Sequence, residues 1–154
     1  MILSDTQIEE LMEEGELGID DYKDENLTPN GYDLTISEIS IGGDDSFKEG
    51  IVKIPGDTWF AVSTEEYVRF PSNVAGELWI RTTWARRGVI SSFGMIDAGF
   101  EGNLTLSAYN SGDELDIEIG DTFAQVVFHL LSKGSEKLYH ERSGNYQGSE
   151  GVTL

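Results

Sequence analysis

From Tyr32 onward the chain is cut into runs too short for ordinary helices and separated by strong turn signals, and this punctuation limits the fold more than any other feature. The runs are Tyr32–Ile41, Ile51–Ile54, Thr58–Val62, Tyr67–Phe70, Gly76–Ile80, Asn103–Tyr109, Leu115–Ile119 and Phe123–Leu131, all alternating or rich in β-branched residues. Between them stand Gly42-Gly-Asp-Asp45, Pro55-Gly-Asp57, Pro71-Ser-Asn73, Asn110-Ser-Gly-Asp113 and Gly120-Asp121. Short strands at this spacing predict an all-β domain, a barrel or jelly-roll-like sandwich.

The two ends read differently. Ser4-Asp-Thr-Gln7 has the form of a capping box, and Ile8, Leu11 and Met12 recur at helical spacing, so residues 1–16 are expected to hold a short helix ending near Gly15. Residues 134–154 are polar and glycine-rich, the composition of a frayed terminus, yet Tyr139 and Tyr146 within them argue for packing. An arm that closes over a ligand or a neighbouring subunit accommodates both. A chain of 154 residues fits one domain, here 1–154, and buries roughly 70% of its unfolded surface.

Charge narrows the function. With 29 acidic and 10 basic side chains the formal charge is −19, which excludes nonspecific binding to a nucleic acid polymer but not a nucleotide substrate. There is no cysteine, and only His129 and His140 offer imidazole, so a protein-built zinc centre is not expected. Neither a leader pattern nor an apolar run of roughly 20 residues is present, and the expected compartment is the cytoplasm.

Against that acidic background Arg81, Arg86 and Arg87, three of five arginines, fall within seven residues beside Thr82 and Thr83. Guanidinium forks and hydroxyls suit phosphate oxygens, although salt bridges to the abundant carboxylates would explain each arginine singly. Asp33 follows the turn Pro29-Asn-Gly31 and lies on the face opposite Tyr32 and Leu34. It is either a solvent-facing strand carboxylate or a group that holds Mg²⁺ through bound water beside a triphosphate. Asp97 sits at an expected tight turn where Gly99 permits a positive φ, and it is a candidate to activate a water; Phe100 follows as a flat apolar surface, or as a plain core residue. Gln125 stands where the apolar run Val126–Leu131 begins and needs a partner or a ligand there.

In this order the segments resemble the dUTPase superfamily, whose other branch is the zinc-free dCTP deaminases. Gly31-Tyr-Asp-Leu34 is similar to the first dUTPase motif, Arg81-Thr-Thr83 to the second, Ile96-Asp-Ala-Gly-Phe-Glu-Gly102 to the third and Gly120-Asp-Thr-Phe-Ala-Gln125 to the fourth. The N-terminal helix, Ser63-Thr-Glu-Glu-Tyr67, Arg81–Arg86 and Ala108-Tyr-Asn-Ser-Gly112 look more like the deaminase branch. The resemblance implies a distorted jelly-roll β-barrel and a homotrimer whose subunits share each site. It implies Asp97 as the base for a water attacking the α-phosphorus of dUTP, with Mg²⁺ held through water by Asp33. Substrate contacts carried over are Arg81, Thr82, Thr83, Arg86, Phe100 against the deoxyribose, and Gln125, with Tyr139, Arg142 and Gln147 from the arm. Where the deaminases carry the glutamate that activates water at the cytosine ring, this chain has Ser107. The expected activity is hydrolysis of dUTP to dUMP and pyrophosphate. The alternatives are dCTP deamination, dUTP-forming or bifunctional, and a catalytically silent nucleotide binder.

Overall fold

The computed structural model describes all residues, Met1–Leu154. Helix α1 (Asp5–Glu13) is capped as its sequence predicts: the Ser4 hydroxyl accepts the Gln7 N–H and the Gln7 side chain accepts the Ser4 N–H at 3.1 Å. Ile8 is fully buried, Leu11 and Met12 pack against the core, and the chain turns away at Gly15, whose φ is 72°. The strands follow as β1 (Gly18–Ile19), β2 (Leu27–Thr28), β3 (Gly31–Ile41), β4 (Asp45–Phe47), β5 (Ile51–Ile54), β6 (Thr58–Arg69) and β7 (Val74–Ile80). A one-turn helix α2 (Thr82–Ala85) precedes β8 (Val89–Ser91), β9 (Met95–Ile96), β10 (Glu101–Asn110), β11 (Leu115–Glu118) and β12 (Thr122–Leu130), and α3 (Tyr139–Arg142) lies in the arm.

The main sheet runs β8-β10-β6-β3-β12-β7-β9, with β1 on β6 and β2 and β4 on β3; β5 and β11 pair separately. Its curl comes from β3, which changes partners along its length. Ile36–Ile41 pair with β6, whereas Tyr32–Thr35 pair with β12, and a bulge between Ile36 and Glu38 marks the change. The fold is the expected dUTPase-like distorted jelly roll with a short N-terminal helix.

Period-two alternation is clean along β10, where Leu104, Leu106 and Ala108 face the core and Asn103, Thr105, Ser107 and Tyr109 face outward. Buried Asn110 is tolerated there because its amide donates to the carbonyls of Ile54, Pro55 and Asp113. One expectation needs correction. Thr58–Val62 and Tyr67–Phe70 read as two runs, but β6 is continuous from Thr58 to Arg69. Within the polar segment between them Thr64 and Glu66 stay inside because their side chains find partners: Thr64 accepts the Leu104 N–H at 2.9 Å, and Glu66 accepts the Thr35 N–H at 2.9 Å.

Burial pushes the Glu66 carboxyl above its ordinary value of 4.5, against the opposing effect of the Thr35 N–H. A carboxyl whose native pKa is raised binds its proton more tightly folded than unfolded. Its contribution is therefore fully present below the unfolded value and is lost as pH rises through the folded one. Thermal stability should accordingly fall as pH is raised upward from about 4.5, and Glu66→Gln should flatten that fall in unfolding scans across the same pH series.

Candidate active site

The first half of the site is built where β3, β12 and β7 lie side by side, with Asp33 opposite Gln125 and Gln125 opposite Trp79. Gly31 permits this approach, since a Cβ there would meet the Val126 carbonyl at 2.5 Å. Asp33 keeps only 14% of its side chain exposed, and the Arg81 Nε lies 2.9 Å from its Oδ2. The Gln125 amide donates to the Thr28 hydroxyl at 3.1 Å and toward Asp33 Oδ1 at 3.5 Å, and Arg81 also donates to the Thr122 hydroxyl. Burial raises the Asp33 pKa; Arg81 and Gln125 pull it partly back. Asp33, Arg81, Thr82, Thr83 and Gln125 all line one polar cleft of about 430 Å³ with Trp79. Buried Trp84 fixes α2 beneath the arginine by donating its indole N–H to the Thr122 carbonyl at 2.8 Å.

The second half is the hairpin tip after β9. Gly99 has φ 84°, and the Phe100 N–H closes the turn on the Asp97 carbonyl at 3.1 Å. Asp97 is exposed and its carboxylate makes no hydrogen bond or ion pair, while Phe100 is buried edge-on against Tyr139 with ring centroids 5.4 Å apart. Asp97, Phe100, Ser107 and Tyr139 line a second cleft of about 450 Å³, in which Asp97 is the sole acidic side chain. The arm forms one wall. Its Ser149 bridges Gly102 of β10, and Thr153 and Leu154 reach the same cleft. Packing of the arm, expected from its tyrosines, thus occurs on its own chain.

The remaining sequence-predicted residues are placed otherwise. The Gln147 side chain is already committed, donating to the Gly99 carbonyl and accepting the Glu101 N–H, both at 3.2 Å, so it clamps the hairpin. Arg142 is exposed on α3, Arg86 is exposed beyond α2, and neither lines either cleft. Arg87 lies over the Trp84 ring at 5.4 Å. Thr28 and Thr122, which hold Gln125 and Arg81, escaped the sequence reading; the signal for Thr122 was its place two residues after the Gly120 turn.

A family model described as dCTP deaminase-like matches residues 44–131. The dCTP deaminase of Pyrococcus horikoshii is 39% identical over 153 residues, covering 97% of this chain and 93% of the relative. The chain belongs to the dCTP deaminase-like family. Among solved structures, the 2′-deoxycytidine 5′-triphosphate deaminase of Agrobacterium tumefaciens aligns with a TM-score of 0.73 at 16% identity, over 84% of this chain and 47% of that one. The dUTPase of Staphylococcus bacteriophage 80alpha with dUPNHPP aligns with a TM-score of 0.56 at 18% identity, over 88% of this chain and 95% of that one. These two likenesses concern the fold alone. Within the dCTP deaminase-like fold, Ser107 lies exposed on β10 and opens into the cleft that holds Asp97.

Proposed function

We propose that the chain is a dUTP diphosphatase, hydrolysing dUTP to dUMP and pyrophosphate. The observation that supports this best is the lining of the Asp97 cleft: one acidic side chain, free of partners, with a serine at position 107. Deamination of a cytosine ring needs a group of carboxylate basicity to shuttle protons at the ring, and a serine hydroxyl lacks it. Hydrolysis at phosphorus needs a single base. Asp97 takes a proton from a water whose oxygen bonds to the α-phosphorus; the bond to the bridging α,β-oxygen breaks, and pyrophosphate leaves with that electron pair. Arg81, Thr82 and Thr83 supply donors to the phosphates, Gln125 holds Asp33, and Phe100 with Tyr139 forms an apolar wall for the deoxyribose.

Asp33 is the residue suited to Mg²⁺. No group of three or more carboxylates and imidazoles is gathered as a cage, which suits an ion carried largely by phosphate oxygens and water and held by one carboxylate. Bound there, the ion would neutralise phosphate charge. The two halves of the site line separate clefts of one chain, and this supports a homotrimer in which Asp97 of one subunit works beside Asp33 and Arg81 of another. Trp59, Tyr109 and Ile90 form an exposed apolar row across β6, β10 and β8, which also favours assembly. Arg86 and Arg142 contact phosphate only in an assembly that brings them to a cleft. Mixing Asp97→Asn with Arg81→Ala subunits, each inactive alone, should restore part of the activity after co-refolding; no recovery would argue for sites within single chains.

The second reading, dCTP deamination, is favoured by the relatives called dCTP deaminase at 36–39% identity. The attack itself is tested by hydrolysing dUTP in ¹⁸O-water. Label in dUMP is expected; label in pyrophosphate would overturn the mechanism.

A further inference from the structure

Glu66 is a fully buried carboxylate that neither cleft touches and the proposed reaction does not use. It lies where β3 parts from β6. Pairing between those strands ends at Ile36 and Thr64, so the next amide along β3, that of Thr35, has no strand partner on that side. Glu66 Oε2 accepts it at 2.9 Å, and Oε1 accepts the Tyr32 hydroxyl at 3.4 Å. Tyr32 is itself held by the Lys23 N–H, which donates to its hydroxyl at 2.9 Å. On the other edge of β6, the Asn103 amide donates to the carbonyls of Thr64, Glu65 and Glu66 at 3.0–3.3 Å and fixes the segment that carries the acid.

The two groups bound by Glu66 flank Asp33. Tyr32 precedes it, Thr35 follows two residues later, and between them Asp33 points to Arg81 and Gln125. A buried carboxylate is expensive unless its bonds are needed, and an apolar side chain would fill the same space at lower desolvation cost. We propose that Glu66 is a positioning residue: by gripping β3 on both sides of Asp33 it sets the reach of that carboxylate into the Arg81 cleft, and with it the Mg²⁺-dependent part of nucleotide binding. The inference rests on the role given to Asp33 above.

The test compares full-length wild type, Glu66→Gln, which keeps an acceptor for the Thr35 amide, and Glu66→Leu, which keeps neither bond. Exchange of the Arg81 Nε–H, followed by NMR without nucleotide, reports the Asp33 pair directly. It should be slow in wild type and Glu66→Gln and about tenfold faster in Glu66→Leu, the loss that one hydrogen bond of ordinary strength implies. Affinity for non-hydrolysable α,β-imido-dUTP should drop about tenfold in Glu66→Leu with Mg²⁺, by the same reasoning, and stay unchanged in EDTA. Unchanged Arg81 exchange in Glu66→Leu, or an equal loss of affinity with and without Mg²⁺, would overturn the proposal. Should wild type not bind the analogue, the dUTP reading fails, and Arg81 exchange still decides the role of Glu66. If Glu66→Leu does not fold, Tyr32→Phe, which removes one of the two bonds, is read on the same scales.

Discussion

Asp97→Asn is expected to lower the rate of pyrophosphate release from dUTP roughly a thousandfold, within the range that a positioned general base contributes. The substitution keeps the shape of the side chain and removes its ability to take a proton. Because the Asp97 carboxylate is exposed and bonded to nothing, no native interaction is lost, and the fold should be unchanged by circular dichroism. Binding of the nucleotide should likewise persist, so the loss falls on kcat rather than KM. A catalytically silent binder would show no release before the substitution and the same affinity after it. Activity retained in Asp97→Asn would remove Asp97 from the mechanism.

Phe123→Ala should produce the largest loss of stability, about 3–5 kcal/mol for an aromatic deleted from a closed core. Phe123 is 1% exposed, and its ring lies 5.9 Å from Phe60 and 6.2 Å from both Trp84 and Phe93. No single neighbour can move into the space without leaving another contact. For a chain of this size the change corresponds to roughly 10–15 °C in Tm, measured by thermal unfolding. It should also reach the site, since the Phe123 carbonyl accepts the Arg81 N–H at 3.0 Å and Trp84 roofs the same ring. Nucleotide affinity should therefore fall at temperatures where the variant remains folded.

Strand β10 was legible because it buries one face and keeps period-two alternation along its length, and β3 and β12 because they are apolar, β-branched runs bounded by turn residues. The capping box was legible because its partners are three residues apart. The unity of β6 was not, because what holds Thr64 and Glu66 inside comes from Leu104 and Thr35, distant in sequence. Strands β1 and β9 are two residues long and exist only through pairing with β6 and β7, which no local pattern encodes. At the candidate site, the turn residues and the order of motifs singled out Asp33, Arg81, Gln125, Asp97 and Phe100. They did not reveal that these separate into two clefts, nor that Gln147 spends its amide on the hairpin tip, because both depend on register between segments far apart in the chain.

The choice between two reactions turns on Ser107, a small hydroxyl in the cleft that Asp97 shares. The most direct measurement is a side-by-side product assay of dUTP and dCTP with Mg²⁺, resolved by chromatography. The account predicts dUMP and pyrophosphate from dUTP, and no dUTP or dUMP from dCTP. Appreciable dUTP or dUMP formed from dCTP would contradict it.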